Sequence, residues 1–225
     1  MTKDRREGIR KNRCARIGKK PELGYYVIVV NTKETENNYF NGLKNSLPCD
    51  MQRKLAIVVF KAKTCNMLKV CKERIAYDPQ NRKGWIIFDR DQETYFDKLI
   101  ENAESEKIGA GWSNPCFEIW LYAYYGEMPF MRNEIPEKAS QECCGRFGKI
   151  FADKNKIEYS KSEAKLYSYL MQTGDERKAI SIAHDRLQKC QRDCNDKKIS
   201  EWPSCTNVFK LIAEIREKSK RPKEV

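Results

Sequence analysis

Three short apolar segments, at residues 25–30, 55–60 and 85–88, constrain the fold of this chain more than any other feature. Each is rich in β-branched and aromatic residues, and such unbroken runs are typical of strands that are covered on both faces. Segments with helical periodicity separate them, and a fourth short strand is expected near residues 108–112. Strands that alternate with helices favour a mostly parallel sheet with right-handed crossovers. The sequence therefore predicts an α/β fold with a sheet of about four strands flanked by helices.

The second half of the chain is predicted to be mostly helical. An aromatic helix follows Pro115, and its residues Phe117 and Trp120 are expected in the core. Further helices are predicted at residues 137–151, 161–172, 175–194 and 206–218. The expected organisation has three parts, which are a basic N-terminal arm at residues 1–22, an α/β core at residues 23–130, and a helical extension packed on the core at residues 131–225.

The net charge of +12 is concentrated near the N-terminus, where residues 1–20 carry nine Lys or Arg and two acidic residues. Such an arm can neutralise phosphates and release counterions from nucleic acid. A disordered, solubilising tail is the alternative interpretation. The residues expected to contact nucleic acid are Arg5, Arg6, Arg10, Lys11, Arg13 and Arg16.

The ten cysteines do not indicate a disulfide framework, because they lie in apolar or helical stretches without paired C-x-x-C spacing. Cys143 and Cys144 are adjacent and Cys190 and Cys194 are four apart, but the single histidine, His184, is not placed to complete a zinc ligand set with either pair. Reduced cysteines are therefore favoured over a zinc site. No apolar run approaches the roughly 18–20 residues of a membrane span, and the basic N-terminus is unlike a signal peptide. A cytoplasmic protein with no membrane partner is expected.

Two carboxylates, Asp89 and Asp91, follow the third apolar strand directly. Ligands of open α/β sheets bind at the carboxyl ends of the strands. Two carboxylates so close together repel each other unless a cation lies between them, and hard oxygen ligands suit Mg²⁺ or Mn²⁺. The alternative is structural, because Asp91 could cap a helix that begins near Gln92.

Polar residues 31–38 are predicted to form a loop at the end of the first strand, before a short helix that ends at Pro48. The loop contains two acids, Glu34 and Glu36. In a parallel sheet this loop and the segment after Asp89 meet at the same edge, so either glutamate could join the metal site.

The most specific pattern is S-N-P-C-F-E-I-W, which begins with Ser113 and Asn114. It resembles the S-N-P-x-F-E-x-W signature of the RloB family. The resemblance extends to T-E-x-N-Y-F from Thr35, to F-D-x-D at residues 88–91 and to P-S-x-T-x-V at residues 203–208. Part of the signature can be explained by folding alone, because Ser113 or Asn114 could cap a helix that starts at Pro115.

The resemblance implies a Toprim-like fold, a metal site that combines an acid after the first strand with a D-x-D after a later one, and a role in prokaryotic defence beside a partner ATPase. Glu118 lies within the signature, where a carboxylate among apolar neighbours requires a cation, a metal or hydrogen-bond donors. Lys161 lies in a Y-x-K element that is similar to one in related proteins, and its charge could stabilise a transferred phosphate. The chain departs from the family at Asn31, where an acid is usual, and at Tyr124, near which a histidine is common.

These observations leave two hypotheses open. The first is a Mg²⁺- or Mn²⁺-dependent nuclease of a phage or mobile-element defence system, acting on DNA or RNA, with Asn31, Glu36, Asp89, Glu118 and Lys161 at the catalytic site. Its metal ligands would be Asp89, Asp91 and Glu36. The second is an inactive subunit that binds nucleic acid or a nucleotide signal within an ATPase-containing complex, because a neutral amide at position 31 ligates Mg²⁺ poorly and cannot act as a general base. A homodimer is compatible with both.

Overall fold

A computed structural model describes residues 21–31, 34–76, 82–90, 95–131 and 135–220. The six basic residues that were expected to contact nucleic acid, and Asp91, lie outside this range. The predictions made for them stay predictions.

The centre of the fold is a five-stranded sheet with the order β2-β1-β3-β4-β5. Its first four strands are parallel, and β5 is antiparallel to β4. The strands are β1 Gly24–Val30, β2 Leu55–Lys61, β3 Arg82–Asp89, β4 Gly109–Asn114 and β5 Cys205–Thr206. The predicted mostly parallel α/β fold is confirmed, and the structure adds a fifth strand that the sequence pattern did not indicate.

Nine α-helices lie within the described residues, most of them in the second half of the chain. They are α1 Glu34–Ser46, α2 Cys49–Lys54, α3 Met67–Ala76, α4 Phe96–Ser105, α5 Glu118–Ala123, α6 Pro136–Asn155, α7 Leu166–Thr173, α8 Glu176–Asp193 and α9 Phe209–Ser219. The chain passes from β1 to β2 in one direction across the sheet and from β2 through β3 to β4 in the other. Crossovers that are right-handed, as is the rule, place the connecting helices of such an order on both faces of the sheet. No helix in the described ranges combines the length and the apolar character that crossing a bilayer requires.

The first helix begins earlier than the sequence pattern predicted. Residues 34–38 were expected in a loop, but they form the first turns of α1, with Glu34 and Glu36 in the first turn. Acidic side chains are favoured there, because the helix dipole places partial positive charge at the N-terminus. Thr35 and Glu36 are buried by this arrangement, at 2% and 1% exposure.

The core joins the sheet to the aromatic helix α5, all six residues of which are buried. Phe117 and Trp120 are 1% and 0% exposed, as predicted. Tyr39 of α1 packs edge-on against both, with ring centroids 5.4 Å and 6.4 Å away. Edge-to-face contacts of this kind each contribute about 0.5–1.5 kcal/mol beyond area burial. The aromatic residues of the signature segments therefore hold α1 and α5 together.

The end of the chain completes the sheet rather than only packing on it. The side chain of Asn207 accepts a hydrogen bond from the Trp112 amide at 2.7 Å and donates one to the Ala110 carbonyl at 2.8 Å. These bonds extend the pairing of β4 beyond the two residues of β5. The segment from 203 to 208 thereby satisfies backbone groups at the edge of β4 that would otherwise lack partners.

A buried polar network ties together four of the helices on one side of the sheet. Arg216 of α9 donates to Glu176 of α8 at 2.5 Å, and Tyr167 of α7 donates to the same carboxylate at 2.8 Å. Tyr124, which follows α5, also donates to Glu176 at 3.0 Å and lies 2.7 Å from the hydroxyl of Tyr39. The hydroxyl of Tyr124, the residue at which the sequence departs from the resemblance, thus takes part in a structural network.

Candidate functional site at the carboxyl edge of the sheet

The strand order creates a switch point between β1 and β3. The chain leaves β1 for β2 on one side and later returns to β3 on the other, and ligands of such sheets bind at the carboxyl ends of the two strands that flank this point. Val30 and Ile87 are paired in the register, so Asn31 after β1 and Asp89 at the end of β3 are at neighbouring positions of one edge. The ends of the two strands are therefore adjacent, whereas residues 32–33 and 91–94 lie outside the described residues.

Two carboxylates at this edge are buried. Glu36 and Asp89 are 1% and 8% exposed. Glu34, the other glutamate considered for the site, is exposed and pairs with Lys61 at 2.6 Å. The side chain of Asn31 makes a long contact of 3.5 Å with the hydroxyl of Thr64, which follows β2. The structure therefore favours Glu36 over Glu34 as the acid contributed by the first crossover.

Glu118 is a buried carboxylate with a basic partner. It lies in the first turn of α5, is 1% exposed, and its Oε1 is 3.2 Å from the Nζ of Lys161 and 2.9 Å from the hydroxyl of Tyr159. Burial raises the pKa of Glu118, but the charge of Lys161 and the hydrogen bonds outweigh this effect and leave the pKa below its ordinary value. Glu118 is therefore ionised at neutral pH.

The Y-x-K element also connects Glu118 to the first turn of α1. The hydroxyl of Thr35 lies 3.5 Å from the hydroxyl of Tyr159 and donates to the carbonyl of Lys161 at 3.4 Å. Burial, followed by the charge of Glu118, raises the pKa of Tyr159, so this phenol stays protonated and remains a donor. The sequence motif that begins at Thr35, the signature carboxylate and the Y-x-K element form one hydrogen-bonded unit.

Three cysteines, Cys116, Cys143 and Cys144, lie close to one another near Glu118, and sequence reasoning missed their convergence. The Sγ atoms of Cys116 and Cys144 are 3.8 Å apart. Among the described residues, Cys116, Glu118 and Cys144 form the one group of three candidate ligands, with ligand atoms within 4.8 Å of one another. This cluster could hold a metal ion. Cys116 occupies the variable position of the signature, so only the packing of α6 on α5 reveals its neighbours.

The thiol cluster adjoins the acidic edge. A hydrogen bond with Cys116 lowers the pKa of Cys143, but burial and the negative charges of Glu118 and Asp89 raise it above the ordinary value. Burial likewise raises the pKa of Cys116 well above its ordinary value. The cysteines are therefore neutral thiols at neutral pH in the metal-free protein.

Ser113 and Asn114 do not cap α5, and this expectation was wrong. The helix begins at Glu118 with Phe117 as its N-cap residue. The hydroxyl of Ser113 pairs with that of Thr206 at 3.1 Å, and the amide of Asn114 donates to the carbonyl of Trp202 at 3.0 Å. Both side chains are fully buried, and each finds its hydrogen-bond partner in the segment from 202 to 206.

A cleft of about 950 Å³ begins next to Asp89, at Arg90. Its remaining lining comes mainly from α8 and the segment before β5, and it contains more basic than acidic side chains. The charged lining residues are Arg90, Arg186, Lys189, Asp193, Lys197 and Glu201. A concave surface of this size and charge can accept a phosphate-bearing ligand.

Comparison with known proteins agrees with the resemblance noted in the sequence. The family model described as RloB-like protein matches residues 26–215. No curated protein and no solved structure gives a significant match. The matched range covers most of the chain and contains all four signature segments, the acidic edge and the Glu118 unit. The chain belongs to the RloB-like family.

Proposed function

We propose that this chain is a metal-dependent nuclease that cleaves phosphodiester bonds in nucleic acid as part of a phage or mobile-element defence system. The observation that carries the proposal is the pair of buried carboxylates, Glu36 and Asp89, at the switch point of a mostly parallel sheet. Burial of acids at a ligand-binding edge is costly to the fold, and such positions are candidates for function.

The donor atoms at this edge fit a hard cation. Glu36 and Asp89 offer carboxylate oxygens, and Asp91 would add a third from two residues further along the chain. All are oxygen ligands, which Mg²⁺ and Mn²⁺ prefer. Bound there, such a cation would stabilise the negative charge that develops on the phosphate and on the leaving oxygen.

The chain's own contribution would be to position the substrate and to balance its charge. Lys161 is held by Glu118 at 3.2 Å, yet its side chain is 44% exposed. Its ammonium can therefore contact a phosphate while the ion pair fixes its location. Thr35, in the first turn of α1, contacts the hydroxyl of Tyr159 and the backbone carbonyl of Lys161. These contacts hold the lysine segment beside the helical turn that carries Glu36.

Nucleic-acid contact would extend from the acidic edge into the cleft that begins at Arg90. Lys189 and Lys197 line the same cleft and could neutralise backbone phosphates. The basic arm would add further phosphate contacts. On this proposal affinity falls as salt rises, and DNA and RNA are both candidate substrates.

A binding role is the second candidate, and Asn31 favours it. The amide stands where the resemblance implies an acid, and it can neither accept a proton at neutral pH nor ligate Mg²⁺ strongly. The cleft is large enough for a nucleotide. In this case the chain would recognise nucleic acid or a nucleotide signal, and a partner ATPase would drive the response.

Cleavage assays on DNA and total RNA with Mg²⁺, Mn²⁺ or EDTA distinguish the two candidates. Asp89→Asn should abolish metal-dependent cleavage, since it removes a ligand charge without changing the side-chain size. Asp153→Asn is the matched control, because that carboxylate is exposed on α6. Asn31→Asp should raise the rate, because it restores the acid that the family pattern has at this position.

Activity that is equal in the wild-type chain and Asp89→Asn would refute the proposed site. If no form cleaves, the nuclease proposal fails, and nucleic-acid or nucleotide binding that survives EDTA and Asp89→Asn would support the second candidate. Cleavage that is gained only with Asn31→Asp would identify a nuclease that is inactive because position 31 carries an amide instead of an acid.

A further inference from the structure

We infer that Cys116, Cys144 and Glu118 form a binding site for a thiophilic divalent cation of the zinc class, separate from the carboxylate edge. The three ligand atoms lie within 4.8 Å of one another. Two of the residues precede or begin α5, and the third lies on α6, so the cation would join the signature segment to the helical half of the chain.

The sulfur spacing matches the geometry of a tetrahedral site. Two thiolates bound to Zn²⁺ at about 2.3 Å in a tetrahedron lie about 3.8 Å apart. The Sγ atoms of Cys116 and Cys144 are 3.8 Å apart. The two cysteines need no change in their separation to accept the cation between them.

The carboxylate can take part without giving up its present contacts. Lys161 and Tyr159 both contact Oε1 of Glu118. A carboxylate has two oxygens and about four lone-pair sites, so coordination and these two bonds are compatible.

The donor set selects the kind of cation. Thiolates favour zinc and other soft metals, whereas Mg²⁺ and Ca²⁺ favour oxygen ligands. Binding would release the protons of two thiols to solvent. The two thiolates and Glu118 would then carry three negative charges, and the divalent cation together with Lys161 would balance them. A buried site with no net charge avoids the desolvation penalty of an uncompensated ion.

The remaining cysteines provide an internal comparison. Cys194 lies at the end of α8 and is half-buried, like Cys144 on α6. It neighbours the buried thiols of Cys190 and Cys205. Among the described residues, these three cysteines do not form a group with all ligand atoms within 4.8 Å of one another, whereas the group around Glu118 does. Replacing Cys194 therefore removes a thiol of similar exposure without touching the inferred site.

Titration of the reduced full-length chain with Co²⁺ tests the inference. Cobalt in a tetrahedral thiolate site gives intense visible bands, and Zn²⁺ should displace it with one cation bound per chain. Cys144→Ser should abolish the bands, whereas Cys194→Ser should leave them unchanged. Mutation of a residue that only hydrogen-bonds to a metal ligand weakens metal affinity by roughly 10–100-fold. Loss of a direct ligand should therefore weaken Zn²⁺ binding at least as much.

Three results would overturn the inference. They are absence of tetrahedral cobalt bands in the wild-type chain, bands that survive Cys144→Ser, and bands that are lost with Cys194→Ser. Glu118→Gln is the second variant, because it changes no cysteine, and it should shift the bands and weaken Zn²⁺ binding. The readout does not depend on nuclease activity, and Mg²⁺ gives no such bands, so failure here and failure of the proposed function are distinguishable.

Discussion

The ion pair between Glu118 and Lys161 should respond very unequally to loss of its two members. The carboxylate side chain is 1% exposed, whereas the lysine side chain is 44% exposed. A lysine that loses its partner can turn its ammonium into water, but a carboxylate that loses its partner stays buried. Lys161→Met should therefore destabilise the protein considerably more than Glu118→Gln.

The carboxyl group of Glu118 can take up a proton, and this limits the loss of stability expected for Lys161→Met. Burial raises the pKa of Glu118, and Lys161 is the strongest of the influences that lower it. Without the lysine, the carboxyl can avoid a buried charge by becoming protonated. Holding a group with an ordinary pKa of 4.5 protonated at pH 7 costs about 3.4 kcal/mol. Because Tyr159 still donates a hydrogen bond, we expect a loss of about 2–3 kcal/mol for Lys161→Met. Screening of the half-exposed lysine limits the loss for Glu118→Gln to about 1 kcal/mol.

Urea unfolding in EDTA and reductant, at about pH 7 and pH 5, measures both losses. In the wild type the lowered pKa of Glu118 stabilises the fold at pH values above the ordinary pKa of 4.5. This stabilisation is lost as the pH falls through the lowered pKa. In Lys161→Met the pKa of Glu118 should be raised instead. The free-energy cost of keeping its carboxyl group protonated therefore decreases as the pH falls towards 4.5. The difference in stability between the two proteins should narrow at pH 5.

Lys156→Met is the matched control for this experiment. Lys156 is 80% exposed and pairs with exposed Asp153, so its loss should cost less than about 0.5 kcal/mol. The reasoning is refuted if Lys161→Met is no more destabilising than the control, or if its effect is the same at both pH values.

Two glycines and a second ion pair give further tests by urea unfolding. Gly42→Ala should destabilise by about 2–3 kcal/mol, because its Cβ would lie 2.3 Å from the Cβ of Tyr167. Gly145→Ala should stabilise by about 0.5–1 kcal/mol, because its Cβ meets no atom within 4 Å on helix α6. The opposite order of these two would contradict the packing of α1 on α7. Glu176→Ala should destabilise by about 3–5 kcal/mol, because it leaves Arg216 largely buried without its carboxylate. A loss under about 1 kcal/mol would show that water replaces the partner.

Three of the four parallel strands could be predicted because each contains an unbroken apolar segment. Val27, Ile28 and Val30 are all 0% exposed, which is the burial on both faces that their composition indicated. The position of Asp89 followed from the same pattern, because a carboxylate directly after a buried strand must lie at the strand's carboxyl end. Local sequence therefore determined the sheet and one member of its acidic edge.

The fifth strand and the thiol cluster could not be predicted, because both depend on contacts between distant parts of the chain. A strand of two residues, Cys205–Thr206, is too short to show any periodicity. Cys116 and Cys144 are brought together only when α6 packs on α5. The start of α1 was missed for a different reason, since the polar residues at 34–38 resemble a loop when the burial of Thr35 and Glu36 is unknown.

Glu118 lies between two different chemical environments, and its ion pair determines how it can act in each. Oxygen donors from Glu36 and Asp89 lie at the sheet edge, and the thiols of Cys116, just before α5, and of Cys144 on α6 lie next to it. Because Lys161 already balances its charge, Glu118 adds little net charge with which to attract a hard cation to the edge. The same pairing suits a thiolate-rich site, because Lys161 balances Glu118 and a divalent cation then balances the two newly formed thiolates. We therefore expect Glu118 to position Lys161 for the acidic edge and to ligate a cation together with the cysteines.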